Sequence, residues 1–192
     1  DEKKALEWMT KATEQNSKLL HTIGWNYLGG VIGCTINYKV AFEFFTKSAQ
    51  HCKDPESMHC IGNMYLDGQY VTKDYEKVEE WYQKAADHCK SGEYEYMLAN
   101  LYYYGDEMPQ NYTKAIEYYT KAIEIGEYKD YICWSRTKLG KMYRNGEGVT
   151  KDDKKALEYF NKALEHDVTN VSLETQHLLG IMYKNGEGVR KN

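Results

Sequence analysis

The sequence LGKMYRNGEGVTKDDKKALEYFNKA, residues 139–163, decides the fold because its pattern recurs along the whole chain. Within it, Gly140, Tyr143 and Gly146 are spaced three residues apart. A small residue, a Tyr and a Gly with this spacing occur five times at intervals of 37 to 41 residues, starting at Gly24, Gly62, Ala99, Gly140 and Gly180. A fixed period in this range is typical of a solenoid built from repeated supersecondary units.

Each repeat contains two helical patterns, and the first of them, helix A, carries the small–Tyr–Gly pattern. In the second repeat, Met58, Ile61 and Tyr65 fall on one face at helical spacing. A glycine inside a helix costs about 1 kcal/mol relative to alanine, so Gly62 indicates that another backbone comes close. Gly68 suits a left-handed C-cap. The recurring Tyr is expected to lie in the core at Tyr27, Tyr65, Tyr102, Tyr143 and Tyr183.

The second pattern, helix B, starts with an Asp or Asn, the preferred N-cap residues. These caps are Asp1, Asn37, Asp74, Asn111, Asp152 and Asn192. After the first five caps, a small residue, an aromatic residue, a second bulky residue and a Lys follow at constant spacing, as in Ala156, Tyr159, Phe160 and Lys162. The alternation of small and large side chains predicts antiparallel helices that interdigitate and stack.

The order B then A divides the chain into five predicted helix pairs within a single solenoid domain, 1–192. Their approximate bounds are 1–36, 37–73, 74–110, 111–151 and 152–192. The links ahead of Trp134 and Ser172 are expected to hold the residues that lengthen the later repeats. The chain starts and stops at the same phase of the repeat, at Asp1 and Asn192, and neither end has the polar capping repeat of a complete solenoid. We therefore expect a segment of a longer array.

Composition supports a helical, non-membrane chain. Of 192 residues, 42% are hydrophobic and only two are Pro, which suits helices because Pro breaks their interiors. The net charge of −4 gives no electrostatic reason to expect nucleic acid, and no apolar run approaches the roughly 20 residues of a membrane helix. Five Cys leave at least one free thiol in a monomer, which favours the reducing cytoplasm over secretion or the endoplasmic reticulum lumen.

Motifs for chemistry are weak. The string from Ser135 to Lys138 has the Ser-x-x-Lys spacing of penicillin-recognising enzymes, but the Ser-Asp-Asn and Lys-Thr-Gly partner strings do not occur. His51-Cys52 and His88-Cys89 recur in register without the close spacing of structural zinc sites. The sequence thus predicts a protein that is not an enzyme and holds no cofactor or metal.

The residues Leu139, Gly140, Met142, Tyr143, Gly146, Gly148, Val149, Asp152, Ala156, Tyr159, Phe160, Lys162 and Ala163 form a pattern that resembles the Sel-one-like repeat (SLR) family. This family is a branch of the tetratricopeptide (TPR) superfamily, and the resemblance covers essentially the whole chain. It implies an all-α fold, a right-handed α-solenoid of antiparallel helix pairs. It also implies an adaptor or scaffold for protein complexes, binding a peptide or protein segment in a concave groove lined by the A helices.

In the superfamily, positions −6, −3, +1 and +4 around the internal small residue of helix A project into that groove. The resemblance therefore assigns the partner-binding residues Trp25, His59, Asn63, Tyr96, Asn100, Tyr103, Trp134, Lys141, Arg144, His177 and Lys184. Exposed aromatic residues are typical binding anchors, and Asn offers both a donor and an acceptor to a peptide backbone. Lys141, Arg144 and Lys184 form a basic end that would attract an acidic peptide or a free carboxylate.

Two alternatives stay open. Cys52 and Cys60 have the spacing of the pairs that staple helices in cysteine-rich secreted bacterial members of the family, so they are a possible disulfide. A chain of that kind would have weak hydrolase activity or bind a cell-wall ligand. The other alternative is a structural spacer inside a larger protein, with no ligand of its own.

Overall fold

The structure is a computed structural model that describes residues 2–30, 35–165 and 169–189. Over these ranges the chain forms ten α-helices and no β-strand, which confirms the predicted all-α repeat fold. The helices are α1 (Glu2–Gln15), α2 (Leu19–Gly29), α3 (Tyr38–Cys52), α4 (Pro55–Asp67), α5 (Tyr75–His88), α6 (Glu93–Tyr104), α7 (Tyr112–Ile125), α8 (Lys129–Asn145), α9 (Asp153–Leu164) and α10 (Thr169–Asn185). Even-numbered helices are A helices and odd-numbered helices are B helices.

The chain divides into two compact units. The first unit, Asp1–Cys89, contains α1 to α5, and the second unit, Lys90–Asn192, contains α6 to α10. Inside each unit, an A helix packs most extensively against the B helix that follows it, as α4 does against α5 and α8 against α9. None of the helices in the described ranges combines the length and the apolar character that a membrane crossing requires.

Local capping chemistry fixes the helix ends. The side chains of Asn37, Asp74, Asn111 and Asp152 each accept a hydrogen bond from the backbone N–H three residues later, at 3.0 to 3.2 Å. The predicted caps are thus confirmed for these four; Asp1 and Asn192 lie outside the described residues. Gly146 closes α8 at a φ of 75° and donates its N–H to the Met142 carbonyl, as a left-handed C-cap requires.

The internal small residue of helix A is explained by an aromatic ring on the next B helix. A Cβ placed on Gly140 would lie 2.5 Å from the Phe160 ring, and one placed on Gly24 would lie 2.6 Å from the Phe45 ring. Gly62 stands in the same relation to Tyr82. The close neighbour is therefore a side-chain ring and not the backbone that the sequence pattern suggested. Because an aromatic ring is rigid, it sets how closely helices A and B approach.

The Lys that recurs in helix B contacts two residues one turn earlier in the same helix. Lys84 bonds Glu80 at 2.7 Å, and its Nζ lies 4.2 Å from the centre of the Trp81 ring. Lys121 makes the same pair of contacts with Glu117 and Tyr118. Because a helix turns once in 3.6 residues, a carboxylate at i−4 and a ring at i−3 both reach the ammonium group.

The extra residues of the two last repeats lie in helices and not in the links that the sequence predicted. The residues ahead of Trp134 and Ser172 were expected to form longer links, but they lengthen the helices, since α8 and α10 have 17 residues each and α6 has 12. In α8 the added turn is held by Tyr131, whose ring centre lies 5.3 Å from that of Trp134.

The prediction that every recurring Tyr lies in the core was wrong for Tyr183. Tyr27 and Tyr102 are buried, and Tyr65 and Tyr143 are half-buried, but 56% of Tyr183 is exposed. Tyr143 stacks on Tyr159 of the next B helix, with ring centres 5.5 Å apart. No helix follows α10 in the part of the chain that the structure describes, so Tyr183 lacks this stack.

The contact between Gly140 and Phe160 predicts that Gly140→Ala destabilises the protein. The helix gains about 1 kcal/mol of propensity, but overpacking against a rigid ring costs about 1–3 kcal/mol. The matched control is Gly180→Ala at the same position of the repeat, where a Cβ would meet nothing within 4 Å. In urea unfolding followed by circular dichroism, we expect the midpoint to fall for Gly140→Ala and to rise for Gly180→Ala. Equal midpoints for the two variants would contradict the packing argument.

Lys53, which ends α3 in the left-handed conformation at a φ of 54°, gives a second prediction. The left-handed region costs a residue with a Cβ roughly 1 kcal/mol more than glycine. Lys53→Gly is therefore expected to raise the free energy of unfolding by up to about 1 kcal/mol. Lys53→Ala removes the same side chain but keeps the strain, so it serves as the control. A gain of the same size in both variants would show that the conformation is not the cause.

Candidate functional site

The A helices of the second unit carry a cluster of aromatic residues. Tyr96 of α6 lies 5.5 Å from Trp134 and 5.9 Å from Tyr131, both on α8, measured between ring centres. All three side chains are half-buried. We call Tyr96, Tyr131 and Trp134 the aromatic cluster. It offers a preformed apolar surface, because its rings already restrain one another before any ligand binds.

Tyr131 is the member of the aromatic cluster that sequence reasoning missed. The repeat pattern placed it in a link, outside helix A. It lies three residues before Trp134, which is one helical turn, so the helical spacing of the two residues is a signal that could have found it. The sequence predicted Tyr96 and Trp134 as groove residues, and the structure brings these two together.

Asn100 occupies the predicted position on α6, and its carbonyl is engaged from the next helix. The Tyr119 hydroxyl donates a hydrogen bond to Asn100 Oδ1 at 2.6 Å. Burial is the main cause of a raised pKa at Tyr119, so its hydroxyl stays protonated and remains a donor. Asn100 is also hydrogen-bonded to the Tyr96 hydroxyl, which partly offsets the rise that burial gives the pKa of Tyr96.

Asn63 repeats this arrangement in the first unit. The Tyr82 hydroxyl donates to Asn63 Oδ1 at 2.6 Å, and Asn63 Nδ2 lies 3.2 Å from His59 Nε2. The His59 ring packs edge-on against the Tyr82 ring, with centres 4.9 Å apart. The two predicted residues His59 and Asn63 thus belong to one half-buried polar network with Tyr82.

Trp25 is the exposed aromatic residue of the first-unit A helices. Its exposed fraction is 48%, and its ring meets Phe45 edge-on at 6.3 Å. One turn earlier, His21 lies 3.1 Å from Asp54 Oδ2 and 3.3 Å from Glu56 Oε2. A cavity of about 380 Å³ opens beside these residues, lined by Lys18, His21, Ser48, Cys52, Lys53, Asp54, Pro55 and Glu56.

The predicted basic end is paired with carboxylates. Arg144 donates to both oxygens of Glu187, with Nε–Oε2 at 2.8 Å, and Lys141 pairs with Glu174. Hydrogen bonds from Arg144 and Asn185 hold the pKa of Glu187 down to about 2. His177 and Lys184 are exposed on α10. The positive charge of Lys141 and Arg144 is therefore largely balanced inside the protein.

Asn100 lines a second cavity, and Tyr103 lies on the same helix. The Tyr103 hydroxyl donates to Glu147 at 3.1 Å; burial and this carboxylate raise the Tyr103 pKa. The cavity has a volume of about 180 Å³ and is lined by Asn100, Leu101, Tyr104, Asp106 and Glu107. Asp106 and Glu107 are exposed and have no ion pair within the described ranges. The rim of this cavity is therefore negative.

We call positions −6, −3, +1 and +4 of the A helices, which were predicted to line the groove, the predicted stripe. Two other residues of this stripe are buried and cannot contact a ligand. Leu66 is buried in the first unit. Thr137 is buried in the second unit, where its hydroxyl bonds that of Thr175 at 2.8 Å. Side chains on the stripe therefore differ in access although they share the same spacing.

The residues considered for chemistry are mostly enclosed. Ser135 is fully buried. Cys52 and Cys60 are free thiols in the structure, and burial, together with Asp54 and Glu56, raises the pKa of Cys60 to about 12. A thiol with so high a pKa reacts slowly at neutral pH. Within the described ranges, no group of three or more His, Cys, Asp or Glu is arranged to hold a metal ion.

Comparison with known families identifies the repeat. The Sel1 repeat model matches residues 1–17, 23–51, 55–88, 92–127, 135–168 and 173–192, which is most of the chain. The chain belongs to the Sel1 repeat family. Sel1 repeat proteins commonly mediate protein–protein interactions, and the family is generally a non-catalytic scaffold. The resemblance found in the sequence is thereby confirmed.

Solved structures show the same Sel1 repeat fold. A Sel1 repeat protein from Oxalobacter formigenes is 27% identical, with a TM-score of 0.63 over 92% of this chain and 67% of that one. A protective antigen of uropathogenic Escherichia coli strains that displays an SLR fold is 27% identical, with a TM-score of 0.69. That alignment covers 100% of this chain and 39% of the antigen, so the chain spans less than half of it. The comparison with curated proteins gave no match.

The Arg144–Glu187 pair of this Sel1 repeat chain predicts a pH dependence. The folded pKa of Glu187 lies below its ordinary value of 4.5, so the pair stabilises the fold above that pH and loses its effect as pH falls toward about 2. Between about pH 5 and about pH 2.5, the thermal midpoint should therefore fall less in Glu187→Gln than in the unmodified chain. Glu124→Gln changes an exposed carboxylate outside this pair and should keep the original pH profile. Matching profiles for all three proteins would contradict the assignment.

Proposed function

We propose that this chain is a non-enzymatic scaffold that binds an extended peptide or protein segment on the A-helix surface of the second unit. The observation that carries the proposal is the aromatic cluster, in which Tyr96, Tyr131 and Trp134 lie 5.3 to 5.9 Å apart and are half-exposed. Aromatic residues dominate the binding energy of protein interfaces because they bury a large apolar area at a low cost in conformational entropy. Rings that are already packed lose still less freedom when a ligand binds.

The polar residues around the cluster suit a peptide. Asn100 lies one turn along α6 from Tyr96, is half-buried and lines an open cavity. Tyr103 adds a further aromatic surface on the same helix. A peptide offers alternating apolar side chains and backbone hydrogen-bonding groups, and this surface provides partners for both.

Lys141 and Arg144 have a different part in this proposal. Their pairs with Glu174 and Glu187 shape the edge of the surface, and the exposed His177 and Lys184 of α10 are available to a longer partner. An acidic segment would have to displace carboxylates that are already in place. We therefore assign the main binding energy to the aromatic cluster and not to the basic end.

The first unit offers a surface of the same kind, and we treat it separately. Trp25 is its exposed anchor, and His59 and Asn63 supply polar groups held by Tyr82. Its aromatic surface is smaller than that of the second unit, because Trp25 packs only against His21 and the buried Phe45 among the described rings. We expect the second unit to provide the stronger site.

The test uses peptides selected on the immobilised chain from a random peptide library. The affinity of the strongest labelled peptide is then measured by fluorescence anisotropy. Trp134→Ala is expected to weaken binding by about tenfold or more, since a buried aromatic anchor is commonly worth more than 1 kcal/mol. Circular dichroism of each variant establishes that the helices remain folded.

The matched control is Trp81→Ala, which removes a half-buried Trp from B helix α5, where Lys84 lies over the ring. This variant should bind within about twofold of the unmodified chain. An equal loss in both Trp variants, or no loss in Trp134→Ala, would overturn the proposed surface. Failure to select any peptide would favour the alternative of a structural spacer.

A further inference from the structure

Four A helices are each followed by a B helix that packs against them: α2 by α3, α4 by α5, α6 by α7 and α8 by α9. Two of these four pairs have a hydrogen bond that the other two lack. In each case a Tyr hydroxyl of helix B donates to an Asn carbonyl of helix A at 2.6 Å: Tyr82 to Asn63, and Tyr119 to Asn100. Each Tyr follows its Asn by 19 residues. The same geometry occurs in both of the described pairs that have a Tyr at this position of helix B.

The identity of the ring and that of the A-helix residue change together. Where helix B has Phe45 or Phe160, the residue that corresponds to Asn is Trp25 or Lys141. Both Phe rings still lie under the internal glycine of helix A. Packing of the two helices is therefore satisfied by Phe, and the hydroxyl of Tyr82 or Tyr119 has its effect on the Asn.

The bond orients the Asn side chain, because it holds the amide oxygen toward the Tyr hydroxyl of helix B. An Asn side chain has an acceptor oxygen and a nitrogen with two hydrogens. The Tyr hydroxyl engages the oxygen, and a residue one turn back, His59 or Tyr96, engages the amide group on the same helix. An N–H donor remains on the nitrogen. Asn100 is one of the residues that line the cavity of about 180 Å³.

The charge around the cavity selects among acceptors. A carboxylate and a backbone carbonyl would both accept from Asn100. Asp106 and Glu107 at the rim repel an anion, so a neutral carbonyl is preferred. The cavity is large enough for a peptide unit, and α6, which lines it, also carries Tyr96 of the aromatic cluster.

We propose that Tyr119 is a positioning residue that holds Asn100 with its N–H donor outward, so that Asn100 binds a backbone carbonyl of an extended peptide; Tyr82 does the same for Asn63. This inference rests on the proposed peptide-binding function. It adds the orientation of the Asn amide and a residue on helix B that contacts no ligand itself. Pairs with Phe at the B position lack this donor and present Trp25 or Lys141 in its place.

The test uses the peptide selected above and a series of its analogues in which one backbone amide at a time is replaced by an ester. An ester carbonyl is a weaker acceptor, so one position of the series should weaken binding to the unmodified chain most. Tyr119→Phe is expected to bind the parent peptide about fivefold more weakly, the worth of one hydrogen bond, and to lose its sensitivity to the ester at that position. Asn100→Ala and the double variant should lose no more than about the same factor, because both residues act through one bond.

Controls separate positioning from folding. Phe occurs naturally at positions 45 and 160 of this chain, so Tyr119→Phe is expected to keep the helices intact. Tyr159→Phe removes a hydroxyl from α9 that makes no hydrogen bond within the described residues, and it should leave both the affinity and the ester profile unchanged. The side-chain amide signal of Asn100 in NMR spectra should shift on peptide addition in the unmodified chain and in Tyr159→Phe, but not in Tyr119→Phe.

An unchanged ester profile in Tyr119→Phe would overturn the inference, and so would losses for Tyr119→Phe and Asn100→Ala that multiply in the double variant. These outcomes leave the proposed function standing as long as Trp134→Ala still weakens the peptide. If Trp134→Ala has no effect, the proposed surface fails first, whatever the Tyr119 variants do.

Discussion

Close approach between an A helix and an aromatic ring of the next B helix is the constraint on which the rest of the structure depends. The Phe160 ring occupies the space that a side chain at position 140 would need, and the Tyr82 ring does the same at Gly62. A rigid ring against a residue without a side chain leaves one preferred separation between the two helices. The contact recurs between α2 and α3, between α4 and α5, and between α8 and α9.

The choice between Phe and Tyr at this ring connects packing to function. Either ring fills the space, but the hydroxyl of a buried Tyr such as Tyr82 or Tyr119 needs a hydrogen-bond partner. Asn63 and Asn100 supply it, and their carbonyl oxygens are held toward the Tyr hydroxyls of helix B. A requirement of the interior thereby decides which hydrogen-bonding group reaches the surface. At this position of the repeat, helix A carries an Asn, a Trp or a Lys without a change of fold.

The charge of the A-helix surface depends on which of its charged side chains form ion pairs, and not only on which charged residues the A helices carry. Lys141 pairs with Glu174 of α10, and Arg144 pairs with Glu187 in the turn after α10. Asp106 and Glu107 have no such partner in the described parts of the chain. The side of the surface that reads as basic in the sequence is largely neutral, and a negative rim lies beside Asn100. A ligand with a neutral backbone and apolar side chains fits this distribution better than an acidic one.

The sequence by itself determined the features that depend on neighbours within one or two helical turns. Asn37 and Asp152 cap their helices, Gly146 ends α8, and the recurring Lys follows its Glu and its ring because all these contacts are local. Only the tertiary structure decided the contacts between residues far apart in the chain: the cluster of Tyr96 with Tyr131, the burial of Thr137 and the exposure of Tyr183. Helical spacing indicates which face of a helix a residue occupies, but the neighbour on that face comes from another repeat. Whether such a neighbour is present, and its size and charge, determine whether the residue lies in the core, in an ion pair or on the binding surface.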